Sequence, residues 1–244
     1  SSDVCSSDLA GLMILAASGA QADSTHIAKI QAALDAWLAD RSSAEKVTGV
    51  AAYVSFGDTG PAIEAFAGKI GSGPQDAPVR QGTLFQMGST SKSFTAALIL
   101  KLEAAGKLSI DDALGKWLPQ YPAWKDVTIQ RLLNMTSGIP NYSETEAMSR
   151  IWINDPTREL SAENLIDLVY PAGSGDLPKS KGYHYSNTNY ILAGMIAAKA
   201  AGQSYRDLVH HMIIEAFGLH STFYENGDRK STRLNSSHMS NSYA

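Results

Sequence analysis

The stretch MGSTSKSFTAALILKLEAAG, residues 87–106, decides the fold because a polar head leads into an unusually apolar body. From Phe94 to Ala105 the chain would be apolar on nearly every face of a helix, so we predict a helix buried in the middle of the fold. Gly106 is its expected stop. At the head, Ser89 and Lys92 are three residues apart, which puts them on nearly the same helix face, one turn from each other.

The Ser89–Lys92 pair suits nucleophilic catalysis. A serine hydroxyl is a weak nucleophile until a base takes its proton. A lysine in an apolar helix loses part of its preference for charge, so Lys92 can act as that base. Free N–H groups at the helix start can stabilise an oxyanion, and Gly88 permits a tight turn before Ser89. The simpler alternative is an N-cap serine followed by a solvated lysine.

A second polar stretch, GYHYSNTNY at residues 182–190, offers complementary groups. Tyr185 and Asn187 are two residues apart, so in an extended segment their side chains point to the same side. A phenol near a lysine can relay a proton, and a carboxamide can hold both a lysine and a substrate carbonyl. In the simpler alternative, Asn187 caps the next helix and Tyr185 packs.

The order of elements predicts an α/β (α+β) fold, an antiparallel sheet flanked by helices plus an all-helical region. Strand-like runs occur at residues 47–58 and 62–70, joined by a short turn. Two strands do not make a stable sheet, so we expect this sheet to be incomplete. Besides the helix at residue 94 we predict helices over residues 25–41, 127–140, 161–171, 187–202 and 204–218.

The two ends of the chain do not resemble native protein. The head DVCSSDL and the tail DRKSTRLNSSH resemble translated sequencing-adapter DNA, so we expect residues 1–9 and 228–244 to be non-native. Residues 10–22 resemble the end of a secretory signal, with Ala20 and Ala22 in the small-residue pattern of a cleavage site. An ordinary buried helix is the alternative. The signal predicts a secreted protein, periplasmic or extracellular.

The composition excludes several classes of partner and cofactor. The formal net charge of −4 argues against a nucleic-acid or anionic-membrane surface. The single cysteine, Cys5, lies in the non-native head, which excludes a disulfide framework. The histidines lack metal-ligand spacing, so we expect no metal or cofactor and assign His210 and His211 to the surface.

Three segments together resemble the serine β-lactamase and DD-peptidase superfamily, and more closely its branch of class C β-lactamases, D-alanyl-D-alanine carboxypeptidases and related esterases. They are FQMGSTSKSFTAALILKLEAAGKLSIDDALGKWLP, TIQRLLNMTSGIPNY and YHYSNTNYILAGMI. The resemblance implies a β-lactamase/transpeptidase-like fold. It implies Ser89 as the acylated nucleophile and Lys92 as its partner. It also implies Tyr185 as the proton shuttle to the leaving group and Asn187 as the binder of the substrate amide.

One motif of that family has no counterpart here. No Lys-Thr-Gly or His-x-Gly triplet follows Asn187, so we expect residues 23–227 to be a partial domain with impaired activity. The expected function is a serine hydrolase that cleaves a D-Ala-D-Ala-type peptide or a β-lactam ring through an acyl-enzyme. Its substrate would be a small molecule or a peptidoglycan peptide. The alternatives are a carboxylesterase with the same site and a non-catalytic penicillin-binding sensor, and the carboxamide of Asn187 favours an amide substrate over an ester.

Overall fold

The structure, a computed structural model, describes residues 24–57, 62–171 and 182–224. The expected non-native ends and the signal remnant lie outside these residues. The chain divides into two units, Ser1–Leu84 and Phe85–Ala244. Among the described helices, none combines the length and the apolar character that crossing a membrane requires.

The first unit contains the predicted helix and hairpin. Helix α1 (Ser24–Glu45) precedes strands β1 (Gly49–Ser55) and β2 (Ala62–Gly68), which pair in antiparallel register from Gly49–Gly68 to Ser55–Ala62. Every second residue of β2 is buried, as expected for a strand with one covered face. Helix α1 covers that strand, and the Gln31 side chain donates a hydrogen bond to the Phe66 carbonyl oxygen at 3.0 Å.

The second unit is the predicted all-helical region. In its described part, only an isolated bridge between Ala113 and Thr128 has strand-type pairing. Its helices are α2 (Ser91–Ala104), α3 (Leu114–Trp117), α4 (Ile129–Leu133), α5 (Glu146–Asn154), α6 (Ala162–Asp167), α7 (Asn187–Ala201) and α8 (Tyr205–Val209). Short 3-10 turns span Gly88–Thr90, Pro122–Trp124 and Tyr142–Glu144, and a π-helical turn spans His210–Glu215.

Helix α7, and not α2, is the most buried helix of the second unit. Nine of the fifteen residues of α7 are buried, whereas α2 buries only four of fourteen. Leu100 on α2 keeps 50% of its surface exposed. The prediction that α2 is buried on all sides is therefore wrong within this unit, because one face of α2 packs on α7 and the opposite face does not.

The helix predicted over residues 127–140 is shorter in the structure and ends at Leu133. Met135 adopts a positive φ of 61°, which no α-helix can continue through. The backbone N–H of Thr136 donates to the Arg131 carbonyl oxygen at 3.0 Å and so satisfies a carbonyl at this end of the helix. The residues that follow form a loop, and that loop reaches the functional site.

Candidate active site

Ser89 lies in the 3-10 turn that leads directly into α2. Gly88 before it has a φ of +52°, a conformation that glycine adopts without strain. One turn later, the Lys92 Nζ atom lies 3.2 Å from Ser89 Oγ and donates a hydrogen bond to it. The three-residue spacing therefore produces the predicted pair on one face.

Two groups from the second polar stretch complete the cluster. The Tyr185 hydroxyl is hydrogen-bonded to Ser89 Oγ at 2.6 Å. Asn187, the first residue of α7, accepts a hydrogen bond from Lys92 Nζ through its Oδ1 atom at 2.7 Å. The structure thus brings all four predicted site residues together, around the hydroxyl of an exposed serine.

The two tyrosines around Lys92 have opposite electrostatic environments. The Nζ atom lies 5.1 Å from the ring centre of Tyr185 and 5.7 Å from that of Tyr190. Burial alone would raise the pKa of Tyr185, but the Lys92 ammonium and the Ser89 hydroxyl outweigh it and hold this pKa below its usual value. Burial and the neighbouring Tyr185 raise the pKa of Tyr190. The Tyr190 hydroxyl donates to the Leu133 carbonyl oxygen at 2.9 Å, so this tyrosine holds α7 to the end of α4 and makes no hydrogen bond with Ser89.

A loop after α4 holds the Tyr185–Asn187 segment in place. The hydroxyls of Ser186 and Thr188 both donate to the Pro140 carbonyl oxygen, at 3.1 and 2.7 Å. Both side chains are fully buried. Because side chains alternate along an extended segment, anchoring Ser186 inward turns Tyr185 and Asn187 toward Ser89 and Lys92. The simpler interpretation of Asn187 as only a helix cap is therefore wrong, since its side chain bonds to Lys92.

Two residues of the site were not predicted from the sequence. The Asn187 Nδ2 atom donates to Ser143 Oγ at 3.0 Å, and Ser143 Oγ donates to Asn141 Oδ1 at 3.0 Å. The same Asn141 oxygen accepts the backbone N–H of Asn187 at 3.1 Å. Because Ser143 gives its hydroxyl hydrogen to Asn141, it can only accept from Asn187, which places Nδ2 toward Ser143 and Oδ1 toward Lys92. The available signal was the polar Asn-Tyr-Ser that follows Gly-Ile-Pro.

The histidines assigned to the surface are exposed, as predicted. The π-helical turn brings His210 and His211 together with Glu215, a grouping that the spacing of the histidines did not indicate. The potential ligand atoms of these three residues all lie within 4.8 Å of one another. An α-helical spacing indicates only the pair His211 and Glu215, four residues apart, whereas the π turn also adds His210, five residues before Glu215.

The chain is similar to several known proteins. A protein-family model described as Beta-lactamase matches residues 34–243. A penicillin-binding protein of Bacillus subtilis is 36% identical over 147 residues, which cover 59% of this chain and 31% of the relative. The solved D-stereospecific amidohydrolase of a Streptomyces species is 28% identical with a TM-score of 0.64, covering 79% of this chain and 55% of that one.

A fold likeness extends to a class C β-lactamase solved in complex with cefoxitin. Its TM-score is 0.62 at 24% identity, and the match covers 84% of this chain and 55% of the enzyme. The chain spans about a third of the length of the curated relatives it matches and about half of these solved structures.

Proposed function

Because this chain belongs to the β-lactamase family, we propose that it is a serine amide hydrolase that works through an acyl-enzyme on Ser89. The observation that carries the proposal is the pair of contacts on Ser89 Oγ, from Tyr185 at 2.6 Å and Lys92 at 3.2 Å. A nucleophile within hydrogen-bond reach of two groups that can move its proton is the arrangement covalent catalysis requires.

In the proposed acylation, the Tyr185 phenolate takes the proton of Ser89 as Oγ bonds to the amide carbonyl carbon. Free N–H groups at the head of the 3-10 turn stabilise the resulting oxyanion. The carbon–nitrogen bond then breaks, and Tyr185 gives its proton to the leaving nitrogen. In deacylation, water attacks the acyl carbon, its proton passes to Tyr185, and Ser89 Oγ leaves and recovers a proton from Tyr185.

Lys92 contributes a positive charge in this scheme. Its Nζ atom donates to both Ser89 Oγ and Asn187 Oδ1, so its hydrogens face acceptors. Its hydrogen bond and its charge, together with the Ser89 hydroxyl, outweigh burial and lower the pKa of Tyr185, which stabilises the phenolate. The sequence alone favoured Lys92 as the base, whereas the shorter Ser89–Tyr185 contact favours the phenolate.

The finer proposal concerns the substrate, a D-Ala-D-Ala-type peptide or a β-lactam ring. One Nδ2 hydrogen of Asn187 is held by Ser143, and the second hydrogen can be offered to a substrate carbonyl. The similarity to a penicillin-binding protein and to a D-stereospecific amidohydrolase supports substrates of this kind. The export predicted from residues 10–22 agrees with a cell-wall substrate.

Labelling with a fluorescent penicillin tests the proposal. We expect an adduct on the peptide that contains Ser89, located by mass spectrometry, and no labelling of Ser89→Ala. Ser93→Ala is the matched control, since the Ser93 hydroxyl donates to the Thr90 carbonyl oxygen at 2.7 Å and takes no part in the site. An adduct on Ser91 or Ser93 would contradict the assignment.

Turnover assays separate the competing functions. Release of D-alanine or hydrolysis of nitrocefin by the labelled protein supports an amide hydrolase. Labelling without turnover would indicate either a penicillin-binding sensor or the impaired activity expected where no Lys-Thr-Gly or His-x-Gly motif is present. Hydrolysis of simple esters without penicillin labelling would indicate a carboxylesterase.

A further inference from the structure

A second polar cluster, which shares no residue with the Ser89 site, lies on the π-helical turn after α8. It consists of His210, His211 and Glu215, all exposed. The His211 Nδ1 atom lies 2.8 Å from Glu215 Oε2, and the His210 Nδ1 atom lies 3.3 Å from Glu215 Oε1. His211 and Glu215 are four residues apart, as neighbours on an α-helix are, and the wider π turn also brings His210, five residues before Glu215, to the same carboxylate.

The spacing of these atoms matches that of ligands around one small metal ion. Zinc bonds to histidine nitrogen and carboxylate oxygen are about 2.0–2.2 Å long, so neighbouring ligands of a tetrahedral ion lie roughly 3.3 Å apart. The two observed nitrogen–oxygen distances are 2.8 and 3.3 Å, and all the potential ligand atoms lie within 4.8 Å of one another. Side-chain rotations that bring the three ligand atoms to this common separation would turn the present contacts into a coordination shell.

We propose that His210, His211 and Glu215 form a binding site for a divalent transition-metal ion, zinc in particular. Three protein ligands would hold the ion, and solvent would fill its remaining position. Two imidazoles favour zinc over magnesium or calcium, which prefer oxygen ligands.

The position of the cluster gives the ion a structural effect. Ile213 and Ile214, between the proposed ligands in sequence, are buried in the core of the unit. The turn also packs against α2, the helix that carries Lys92. An ion bound on the outer side would hold the π turn in its wider geometry, and binding to the folded state alone stabilises that state by mass action.

Calorimetric titration of the full chain with zinc chloride tests the site directly. We expect one equivalent of zinc to bind at about pH 8, where protons compete weakly with the metal for the ligands. His211→Ala and Glu215→Gln should each weaken binding by more than about tenfold, since even partners beyond the ligands matter by that much. His220→Ala is the control, because it removes a histidine outside the cluster and should leave binding unchanged.

Thermal unfolding gives a second readout that does not depend on activity. Zinc should raise the Tm of the native chain and of His220→Ala, and not that of His211→Ala. The ligand residues are exposed, so these variants should fold, which circular dichroism checks. Equal zinc binding by the native chain and by a variant lacking all three side chains would overturn the proposal, as would binding only at millimolar zinc.

Discussion

The Ser89 Oγ atom lies 2.6 Å from the Tyr185 hydroxyl oxygen, although 96 residues separate the two in the sequence. A contact this short lets a proton pass directly between serine and phenol, without an intervening water. The contact depends on the anchored residue between Tyr185 and Asn187, because buried Ser186 fixes the direction of both neighbours.

Replacing Tyr185 by Phe should remove the proton carrier and keep the ring near Lys92. We expect acylation to slow by about 10²–10⁴-fold, the usual range for loss of a general base. The rate of labelling by a fluorescent penicillin measures the effect. Tyr183→Phe is the matched control, since this side chain is 72% exposed and should label at the native rate. If Tyr185→Phe is labelled at a near-normal rate, Lys92 and not Tyr185 accepts the Ser89 proton during acylation.

Replacing Lys92 by Met should raise the pKa of Tyr185. Burial already acts to raise this pKa, and Lys92 is the main group that opposes it. Since the active form is the phenolate, acylation increases as pH rises through this pKa. The rising limb of the pH–rate profile should therefore move to higher pH in Lys92→Met.

Tyrosinate absorbance measures the same shift without catalysis. In the Lys92→Met background, the signal of Tyr185 is the absorbance difference between Lys92→Met and the double variant Lys92→Met/Tyr185→Phe. In the native background, it is the difference between the native chain and Tyr185→Phe, and the shift is the difference between the two midpoints. Lys101→Met is the control, because this lysine lies over the Phe217 ring at 4.9 Å and should not move the limb. An unchanged titration of Tyr185 would mean that Lys92 does not set its pKa.

Replacing Ser143 by Ala should loosen the Asn187 amide. One hydrogen bond contributes about 0.5–1.5 kcal/mol, so we expect kcat/KM for amide substrates to fall by up to about tenfold. Ser143→Thr keeps a hydroxyl and should therefore retain most of the native kcat/KM. If Ser143 only filled space, the larger threonine would not preserve kcat/KM in this way. In the control Ser149→Ala, the lost bond is to the Thr145 carbonyl oxygen at 3.2 Å, and kcat/KM should not change. An unchanged kcat/KM in Ser143→Ala would remove Ser143 from the site.

The part of the site set by local geometry could be predicted from the sequence. Ser89 and Lys92 meet because helical spacing alone brings them together. The approach of Tyr185 and Asn187 is a tertiary event, and only the family resemblance predicted it. The role of Ser143 depends on a loop whose course no local pattern determines.

The fold was predictable to a similar extent. Helix α5 was missed although Thr145 caps it and Met148 and Ile151 follow at helical spacing. The depth of α7 was also missed, because its first turn contains polar residues that normally indicate a surface. In the structure, buried Asn189 accepts a hydrogen bond from Ser137 Oγ at 2.7 Å, so its burial is compensated.

The burial of α7 leads to a prediction about stability that uses two leucines. Leu192 on α7 is fully buried, with none of its surface exposed, whereas Leu100 on α2 keeps 50% exposed. Leu192→Ala should lower the free energy of unfolding by about 2–5 kcal/mol. The removed side-chain atoms no longer contribute their burial energy, and they leave a cavity that the neighbours fill only in part.

Leu100→Ala provides the matched comparison, because it deletes the same atoms from a half-exposed site. We expect it to lower the free energy of unfolding by about 1 kcal/mol, because a half-exposed leucine gains only about half of the burial energy of a fully buried one. Urea unfolding of both variants measures the difference, provided that the m-values agree. If Leu100→Ala destabilises the chain as much as Leu192→Ala does, the outer face of α2 is covered after all. The sequence-based prediction of a helix buried on every side would then be restored.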